Sequence, residues 1–420
     1  MGKSLVKLNK LERNWVLYDV GNSAFIMLVS TIIPIFFKNT AAAQGVSAAD
    51  STAYWGYALS ASTLIVAVLG PILGALADTK GFKKPMFTLF MMLGVLGCAA
   101  LAVPMQWLLF LAVFVIAKVG FNGSLIFYDS MLSDVTIDDR MDYVSSAGFA
   151  WGYIGSCIPF TISLGLILFA DKIGLSAAVA TGIGFALTSL WWLVATLPLL
   201  KTYEQQYFVE AKVNPVGKAF QRLGRVFGEL KEYKHILVFL IAYFFYIDGV
   251  HTIIGMATSY GKDVGISDNN LLGALLLTQI VAFPCALLFG RLSKKFKTED
   301  LIKVCIVGYF LITAFALQLD KAWEFWTLAV FVAVFQGAIQ ALSRSYYAKI
   351  VPKEKSSEYF GIYDIFGKGA SFAGTTMMGV VTQLTGSSKY AVGAISIMFV
   401  IGYIVFRLNT KIERAAAVES

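Results

Sequence analysis

Polar and ionisable side chains stand inside some of the most apolar segments of this chain. Asp19 and Asn22 lie together in one such segment, and Asp248 and His251 lie together in another. A charge at the centre of a membrane helix costs about 2.5–3.5 kcal/mol or more, so such a group normally faces a cavity or a partner. A carboxylate held away from water can bind and release a proton near neutral pH, and an adjacent histidine can share that proton. These residues suit the binding of a polar solute or a proton inside a membrane.

Helical spacing sorts the polar residues into faces, because residues three or four positions apart project from the same side of a helix. We expect five such pairs to bind the solute or the coupling ion. They are Asp19 with Asn22, Lys118 with Asn122, Asp248 with His251, Gln336 with Gln340, and Asp364 with Lys368.

A purely structural role is open for several of these residues. Asp364 and Lys368 would neutralise each other within one helix, and Lys118 would pair with a carboxylate from another helix. His251 taken alone is more often a hydrogen-bonded core histidine, and Asp19 near a helix start would interact with the helix dipole. In the functional interpretation, Lys368 binds an anion once Asp364 has taken up a proton.

The elements that carry these residues must cross a bilayer. Hydrophobic residues make up 58% of the 420 residues and charged residues 14%, with a mean hydropathy of +0.71. Soluble domains are about 45–50% apolar and about 25% charged, so this is an all-α polytopic membrane protein. The net charge of +8 lies in short connections, which argues against a nucleic-acid partner. Twelve runs are long enough for a membrane helix: about 15–37, 54–77, 86–105, 107–132, 145–169, 175–200, 236–258, 269–291, 301–319, 323–347, 358–383 and 388–408.

Basic residues predict the orientation of the spans. The loops on one side carry a single lysine each (Lys38, Lys172, Lys262, Lys321 and Lys389), whereas the termini and the other loops carry most of the remaining Lys and Arg. Basic loops stay in the cytoplasm, so we expect both termini there. The short loops and the lack of an organelle signal favour a prokaryotic cytoplasmic (inner) membrane. All four cysteines lie in apolar runs, which predicts packing roles and no metal site.

A polar connection at 201–235 divides the chain into a six-helix bundle at 1–200 and a second one at 236–420. Within the connection, Val216–Leu230 suits either a short interfacial helix or a solvated linker.

The two halves resemble each other in sequence. Phe121-Asn-Gly recurs as Phe335-Gln-Gly, and the loop that begins at Gly74 has a shorter counterpart that begins at Gly290. Two parallel repeats that rock about a central site are the architecture of the major facilitator fold.

The loop after the second span reads Gly74-Ala-Leu-Ala-Asp78-Thr-Lys-Gly81-Phe-Lys83-Lys84. It resembles the signature of the major facilitator superfamily, whose members use these contacts to latch the halves when the cytoplasmic side is closed. Glycine permits the tight turn, and an aspartate can accept hydrogen bonds from a helix N-terminus. We expect gating roles for these signature residues and for two residues at cytoplasmic span ends: Gly74, Asp78, Gly81, Lys83, Asp129 and Arg344.

A more specific resemblance lies in the stretch from Gln336 through Pro352 to Lys368, together with Leu17-Tyr-Asp and Asn22-Ser-Ala-Phe in the first span. These segments look like the vacuole-effluxer branch of the superfamily, although Val20-Gly21 departs from the expected aromatic and small pair. The resemblance implies that spans 1, 4, 7 and 10 line the cavity, and that the cargo is amino-acid-like.

The sequence thus favours a secondary carrier for a small polar or zwitterionic solute, working by alternating access, with a proton as candidate coupling ion. Lys118 and Lys368 facing Asp19 and Asp248 would suit a zwitterion. Efflux of amphipathic drug-like or lipid-like compounds is the alternative, although it suits a less charged cavity. An intramembrane enzyme or a receptor is more remote, because Tyr18-Asp19 matches only half of the aspartyl-protease pair.

The remaining expectations concern partners and one loop. We expect contact with lipid, no cofactor and a monomer. The acidic loop is expected to hold solvated charges that pair with basic neighbours: Asp134, Asp138, Asp139 and Asp142.

Overall fold

The computed structural model describes residues 7–210, 228, 233–263 and 265–419, and these residues are almost entirely helical. The described residues form fourteen α-helices, in order: α1 Lys10–Ser30, α2 Ile32–Ala43, α3 Ala48–Ala77, α4 Lys83–Ala100, α5 Trp107–Ser130, α6 Leu132–Val135, α7 Asp138–Leu168, α8 Ala177–Thr202, α9 Lys234–Asp263, α10 Asp268–Leu292, α11 Thr298–Ala316, α12 Ala322–Ile350, α13 Ser356–Thr385 and α14 Ser388–Glu419. The β-structure within the described residues is a single bridge between Thr79 and Val209.

The helices agree with the predicted spans. Within the described residues, nine helices are long and apolar enough to cross a membrane, and α1 with α2 makes a tenth span that bends by 40°. The predicted runs at 301–319 and 358–383 fall on α11 and α13. The prediction of an all-α, multi-pass membrane protein is therefore confirmed.

The bend between α1 and α2 has a local cause. Pro34 lies in the first turn of α2, and its ring leaves no room for an unbroken helix through residue 30. The hydroxyls of Ser30 and Thr31 donate to the carbonyls of Ile26 (2.9 Å) and Met27 (2.6 Å) instead. Such back-bonding bends helices.

The described chain forms two compact units. Unit 1 comprises Met1–Thr136, Trp151–Pro215 and Glu354–Phe360, and unit 2 comprises Ile137–Ala150, Val216–Lys353 and Gly361–Ser420. The division into residues 1–200, 201–235 and 236–420 stays a prediction. The possible interfacial helix at Val216–Leu230 lies outside the described residues, apart from Gly228.

Small residues allow close helix packing in unit 1. A Cβ on Gly120 of α5 would overlap the backbone of Gly94 on α4. Gly97 likewise lies against Ala117. Contacts of this kind replace the hydrophobic driving force, which is absent between helices in lipid. They hold α5, with Lys118 and Asn122, firmly against α4.

Candidate functional site

Asp248 is fully buried in unit 2, where α9 meets α13. Its Oδ1 accepts hydrogen bonds from the backbone N–H of Gly374 at 2.9 Å and from the Thr252 hydroxyl at 3.3 Å. Its Oδ2 has no hydrogen-bond partner among the described residues. A Cβ on Gly374 would overlap both the Asp248 carboxyl and the Thr252 hydroxyl, so only glycine lets α13 come this close. The carboxyl group is half satisfied, as a group that exchanges a proton would be.

His251 lies one turn beyond Asp248 and is half-buried. Its ring interacts with the side chain of Gln340 on α12 and with the backbone of Gly367 on α13, and the Lys368 charge is nearby. Gln340 in turn donates from Nε2 to the carbonyl of Gln336 at 2.9 Å. Three helices of unit 2 thus bring the predicted residues of spans 7, 10 and 11 into one polar network.

Asp364 and Lys368 form an ion pair along one face of α13. Both side chains keep partial exposure, 14% for Asp364 and 23% for Lys368. The pair matches the predicted spacing and leaves open the two interpretations of its role. Tyr363, beside Asp364, stacks on Tyr243 of α9 with ring centroids 4.2 Å apart and so fixes this part of α13 against α9.

Gln336 borders an apolar cavity of about 90 Å³ in unit 2. The cavity is lined mainly by aliphatic and aromatic side chains of α9 to α14. Gln336 is 3% exposed, and its Nε2 has no hydrogen-bond partner among the described residues. Gln336 is thus one of the few polar side chains on a mainly apolar lining.

Asp19 and Asn22 are buried on α1 in unit 1. The Asn22 amide donates to the Asp19 carboxylate at 3.5 Å. Because α1 begins at Lys10, Asp19 lies well inside the helix and not in its first turn. The helix-dipole interpretation of Asp19 is therefore wrong, since a helix end acts only over its first turn.

Lys118 and Asn122 lie one turn apart on α5, and both are buried. The Lys118 ammonium lies 4.6 Å from the centroid of the Phe121 ring. An aromatic face stabilises a desolvated cation by about 2 kcal/mol. Unit 1 thus holds charges of both signs on the faces that the spacing predicts.

A second polar group lies in unit 1, at the end of α3, at the starts of α4 and α13, and in the short helix α6. We call it the gate cluster, and it consists of Gly74, Asp78, Lys83, Asp134, Ser356 and Ser357. The Asp78 carboxylate accepts hydrogen bonds from the backbone N–H groups of Ser357 (2.8 Å) and Glu358 (2.9 Å). It thereby caps the N-terminus of α13, where unsatisfied N–H groups favour negative charge.

The remaining signature residues support this contact. A Cβ on Gly74 would overlap the carbonyl of Ser357, so glycine is needed for the approach of α13. Gly81 has φ +79°, a left-handed conformation that glycine adopts without strain. Burial raises the pKa of Asp78 to about 6, although Lys83 and the two backbone hydrogen bonds favour the charged form.

Lys83 is fully buried and joins two parts of the gate cluster. Its ammonium donates to Asp134 at 3.0 Å and to the Ser356 hydroxyl at 3.0 Å. The expectation that Asp134 is solvated is wrong, because its side chain is fully buried. Its carboxylate receives four donors from chain segments far apart in the sequence, which a local reading of the acidic loop does not reveal.

Asp142 of the same loop is also buried, in unit 2. It accepts from Lys349 at 2.7 Å, from Thr298 at 2.7 Å and from Ser345 at 2.6 Å. Asp138 and Asp139 are exposed, as expected. The acidic loop thus supplies one buried carboxylate to each unit.

The two other predicted gating residues lie at helix ends. Arg344 is buried on α12 and donates to the Ser145 hydroxyl at 2.9 Å and to the Ser145 carbonyl at 3.0 Å. Its guanidinium also lies 4.5 Å from the Phe149 ring centroid. Asp129 is half-buried in the last turn of α5.

The signature loop predicted that Asp78 accepts from a helix N-terminus but did not identify the helix, although the sequence contained a local signal for it. Ser356-Ser357-Glu358 is typical of a helix start, and the structure places the serines at the beginning of α13. Gly374 and Asp134 gave no local signal. Their importance comes from what the fold brings against them.

Comparison with known proteins identifies the family. The family model described as "Vacuole effluxer Atg22 like" matches residues 9–418. The chain is similar to the uncharacterised MFS-type transporter YxiO of Bacillus subtilis, with 46% identity over 404 residues that cover 95% of this chain and 94% of that protein. It is also similar to autophagy-related protein 22 of Eremothecium gossypii, with 23% identity over 450 residues that cover 91% and 87% of the two chains.

Solved structures establish the fold. The human organic anion transporter MFSD10 superposes with a TM-score of 0.70 at 13% identity, covering 94% of this chain and 98% of its own. FucP, a major facilitator transporter in an outward conformation, gives 0.69 at 14% identity, covering 95% and 97%. The proton:xylose symporter XylE gives 0.70 at 12% identity, covering 94% and 93%. The chain therefore has the major facilitator fold.

Proposed function

Because this chain belongs to the vacuole effluxer Atg22-like family and has the major facilitator fold, we propose that it is a secondary carrier for a small zwitterionic, amino-acid-like solute. The solute crosses by alternating access, and transport is coupled to protons through Asp248. No enzyme step is part of this function, since the similar proteins named above are transporters.

The setting of Asp248 is the observation that supports proton coupling. One carboxylate oxygen receives two donors, while the other is buried and has no partner in the described part of the chain. A charged carboxylate buried in this way has a larger desolvation cost than the neutral, protonated carboxyl. The arrangement is therefore stable with a proton bound and favours movement when the proton leaves.

The charges in each unit support a zwitterionic cargo. Unit 1 holds Asp19 and Lys118, and unit 2 holds Asp248, Asp364 and Lys368. A carboxylate on the solute would bind a lysine, and an ammonium group would bind an aspartate. Each unit also holds an amide side chain among its predicted site residues, Asn122 in unit 1 and Gln340 in unit 2.

The Asp364–Lys368 pair offers the solute carboxylate a binding group that depends on protonation. When Asp364 takes up a proton, Lys368 loses its internal counter-charge and can bind an anion. Proton uptake and solute binding then favour each other, which is the coupling that a symporter needs.

The proposed membrane location rests on the charge of the loops and on a bacterial relative. We place both termini in the cytoplasm, because the basic loops lie on their side. The similarity to a protein of Bacillus subtilis supports a prokaryotic cytoplasmic membrane. We further propose a monomer.

Reconstitution tests the proposal. Purified protein in liposomes is offered radiolabelled amino acids, small peptides, sugars and a cationic amphipathic dye, with and without an inward proton gradient. Asp248→Asn is compared with Asp300→Asn, whose carboxylate is exposed and pairs with the neighbouring Lys303. We expect gradient-stimulated amino-acid uptake that Asp300→Asn retains and Asp248→Asn loses.

Solute counterflow separates coupling from binding. In this assay, labelled solute exchanges for unlabelled solute with no net proton movement, so Asp248→Asn should still catalyse it. Uptake that ignores both the gradient and the substitution would refute coupling at Asp248. Transport of the dye alone would replace the zwitterion by an amphipathic cargo.

A further inference from the structure

The chain that leaves α8 lies on the loop between α3 and α4 in unit 1. We call residues 203–210 the strap. The Val209 N–H donates to the Asp78 carbonyl at 2.8 Å, and the Lys80 N–H donates to the Val209 carbonyl at 3.1 Å. The Gln205 side chain accepts from the Gly81 N–H at 3.0 Å and donates to the Ala77 carbonyl at 3.1 Å.

These bonds satisfy backbone groups that a helix end leaves open. The last carbonyls of α3 have no partner within the helix and must find one elsewhere. The strap supplies partners for two of them, at Ala77 and Asp78, and for two N–H groups of the loop that follows. The loop conformation around Asp78 is thus defined by the strap and not by the loop alone.

Asp134 fixes the strap from the other side. Its Oδ1 accepts from the backbone N–H groups of Gln206 (3.0 Å) and Tyr207 (2.9 Å), and its Oδ2 accepts from the Tyr203 hydroxyl at 2.5 Å. The same Oδ2 receives the buried Lys83 ammonium, which also bonds Ser356 at the start of α13. A continuous set of hydrogen bonds therefore runs from the strap through Asp134 and Lys83 to α13.

Burial raises the free-energy cost of breaking these hydrogen bonds. Tyr203 is 2% exposed, and the side chains of Lys83 and Asp134 are fully buried. In a desolvated site, a donor or acceptor that loses its partner bears the full cost of desolvation. A displaced strap would leave several such groups unsatisfied at once.

We propose that the strap, bound to Asp134, is a positioning element of the gate cluster. It holds the loop that carries Asp78 in the position from which the Asp78 carboxylate caps α13. The strap, which is the first part of the connection after α8, thus contributes to gating. The inference rests on the proposed carrier function, because a gate has a role only in a protein that alternates between states.

Two neighbouring glutamines provide a matched test. Gln205→Ala removes the two side-chain bonds to the loop. Gln206→Ala removes an exposed side chain whose amide donates, within the strap itself, to the carbonyl of Glu204 at 3.3 Å. The gate is probed by Ser357→Cys in a background without the four native cysteines, labelled by a membrane-impermeant maleimide from the predicted cytoplasmic side.

We expect Gln205→Ala to label roughly 5- to 30-fold faster than Gln206→Ala, since each lost bond contributes about 1 kcal/mol. Melting temperature in detergent is measured on the same samples, because a merely structural role would lower it without selective opening at residue 357. Tyr203→Phe, which loses only the bond to Asp134, provides a second test if Gln205→Ala does not fold.

Equal labelling of the Gln205→Ala and Gln206→Ala proteins, or of Tyr203→Phe and the parent protein, would overturn the inference. The assay needs no solute, so it is separate from the proposed function. Faster labelling with no transport of any offered solute would retain the positioning role and refute the cargo. Transport of the zwitterionic solute together with equal labelling would support the cargo and refute the positioning role.

Discussion

Acidification should close the gate cluster. In the capped arrangement, burial raises the pKa of Asp78 to about 6, whereas an aspartate exposed to water titrates near 3.8. The capped state therefore binds a proton more tightly than an open state with Asp78 in water. By linkage, the state that binds the proton more tightly gains population as pH falls.

The size of the effect follows from the two pKa values. The two pKa values differ by about two units, and each unit corresponds to about 1.4 kcal/mol. Full protonation of Asp78 therefore stabilises the capped state relative to the open state by about 3 kcal/mol. This contribution to the capped state is complete below about pH 4 and is lost as pH rises through about 6. The ratio of capped to open protein should change by roughly 100-fold across that window.

The assay uses a nitroxide spin label at Glu354→Cys in the cysteine-free background. Glu354 is exposed and lies two residues before α13, so the label reports the order of the helix start without entering the gate cluster. The electron paramagnetic resonance line shape does not depend on thiol reactivity, so it can be followed from pH 4 to 8. We expect the immobile component to decrease as pH rises, with a midpoint near 6.

Asp78→Asn is the decisive comparison, because it removes the titrating group and keeps the side-chain shape. Its spectra should lack the transition near pH 6. If Asp78→Asn shows the same transition, another group titrates and the reasoning fails. An immobile component that grows with rising pH would contradict the sign of the linkage.

Two further substitutions test the buried groups. Lys83→Met leaves Asp134 buried without its cation and should lower the free energy of unfolding by about 3–5 kcal/mol. Melting in detergent measures this loss, and adding Asp134→Asn should recover part of it; no recovery would argue against an electrostatic cause. Gly374→Ala places a methyl group against the Asp248 carboxyl and should abolish gradient-driven uptake, whereas Gly379→Ala adds its methyl group in open space and should not. Equal uptake by the two alanine variants would mean that the approach of α13 to Asp248 is not needed.

Local patterns were sufficient for several features of the site. The spacing of Asp364 and Lys368 predicted their ion pair, and the signature loop predicted that Asp78 accepts hydrogen bonds from a helix N-terminus. Both inferences concern atoms whose geometry is set within one or two turns, or by the general properties of a helix end.

Other residues could not be assessed locally. Asp134 and Asp138 belong to the same acidic loop, yet one is buried with four donors and the other is exposed. Nothing in their neighbouring residues distinguishes them. The difference depends on Lys83 and Tyr203, which approach Asp134 only in the folded chain.

The sequence by itself determined the all-α membrane fold, the positions of its spans and the family. These properties follow from hydropathy and motifs in contiguous residues, since about 20 apolar residues suffice to specify a membrane helix. The tertiary structure decided which charges are buried and what satisfies them. Asp78 and Glu358 lie 280 positions apart, and Asp248 and Gly374 lie 126 apart. A buried charge is stable only with partners, and helix packing determines which distant residues become those partners.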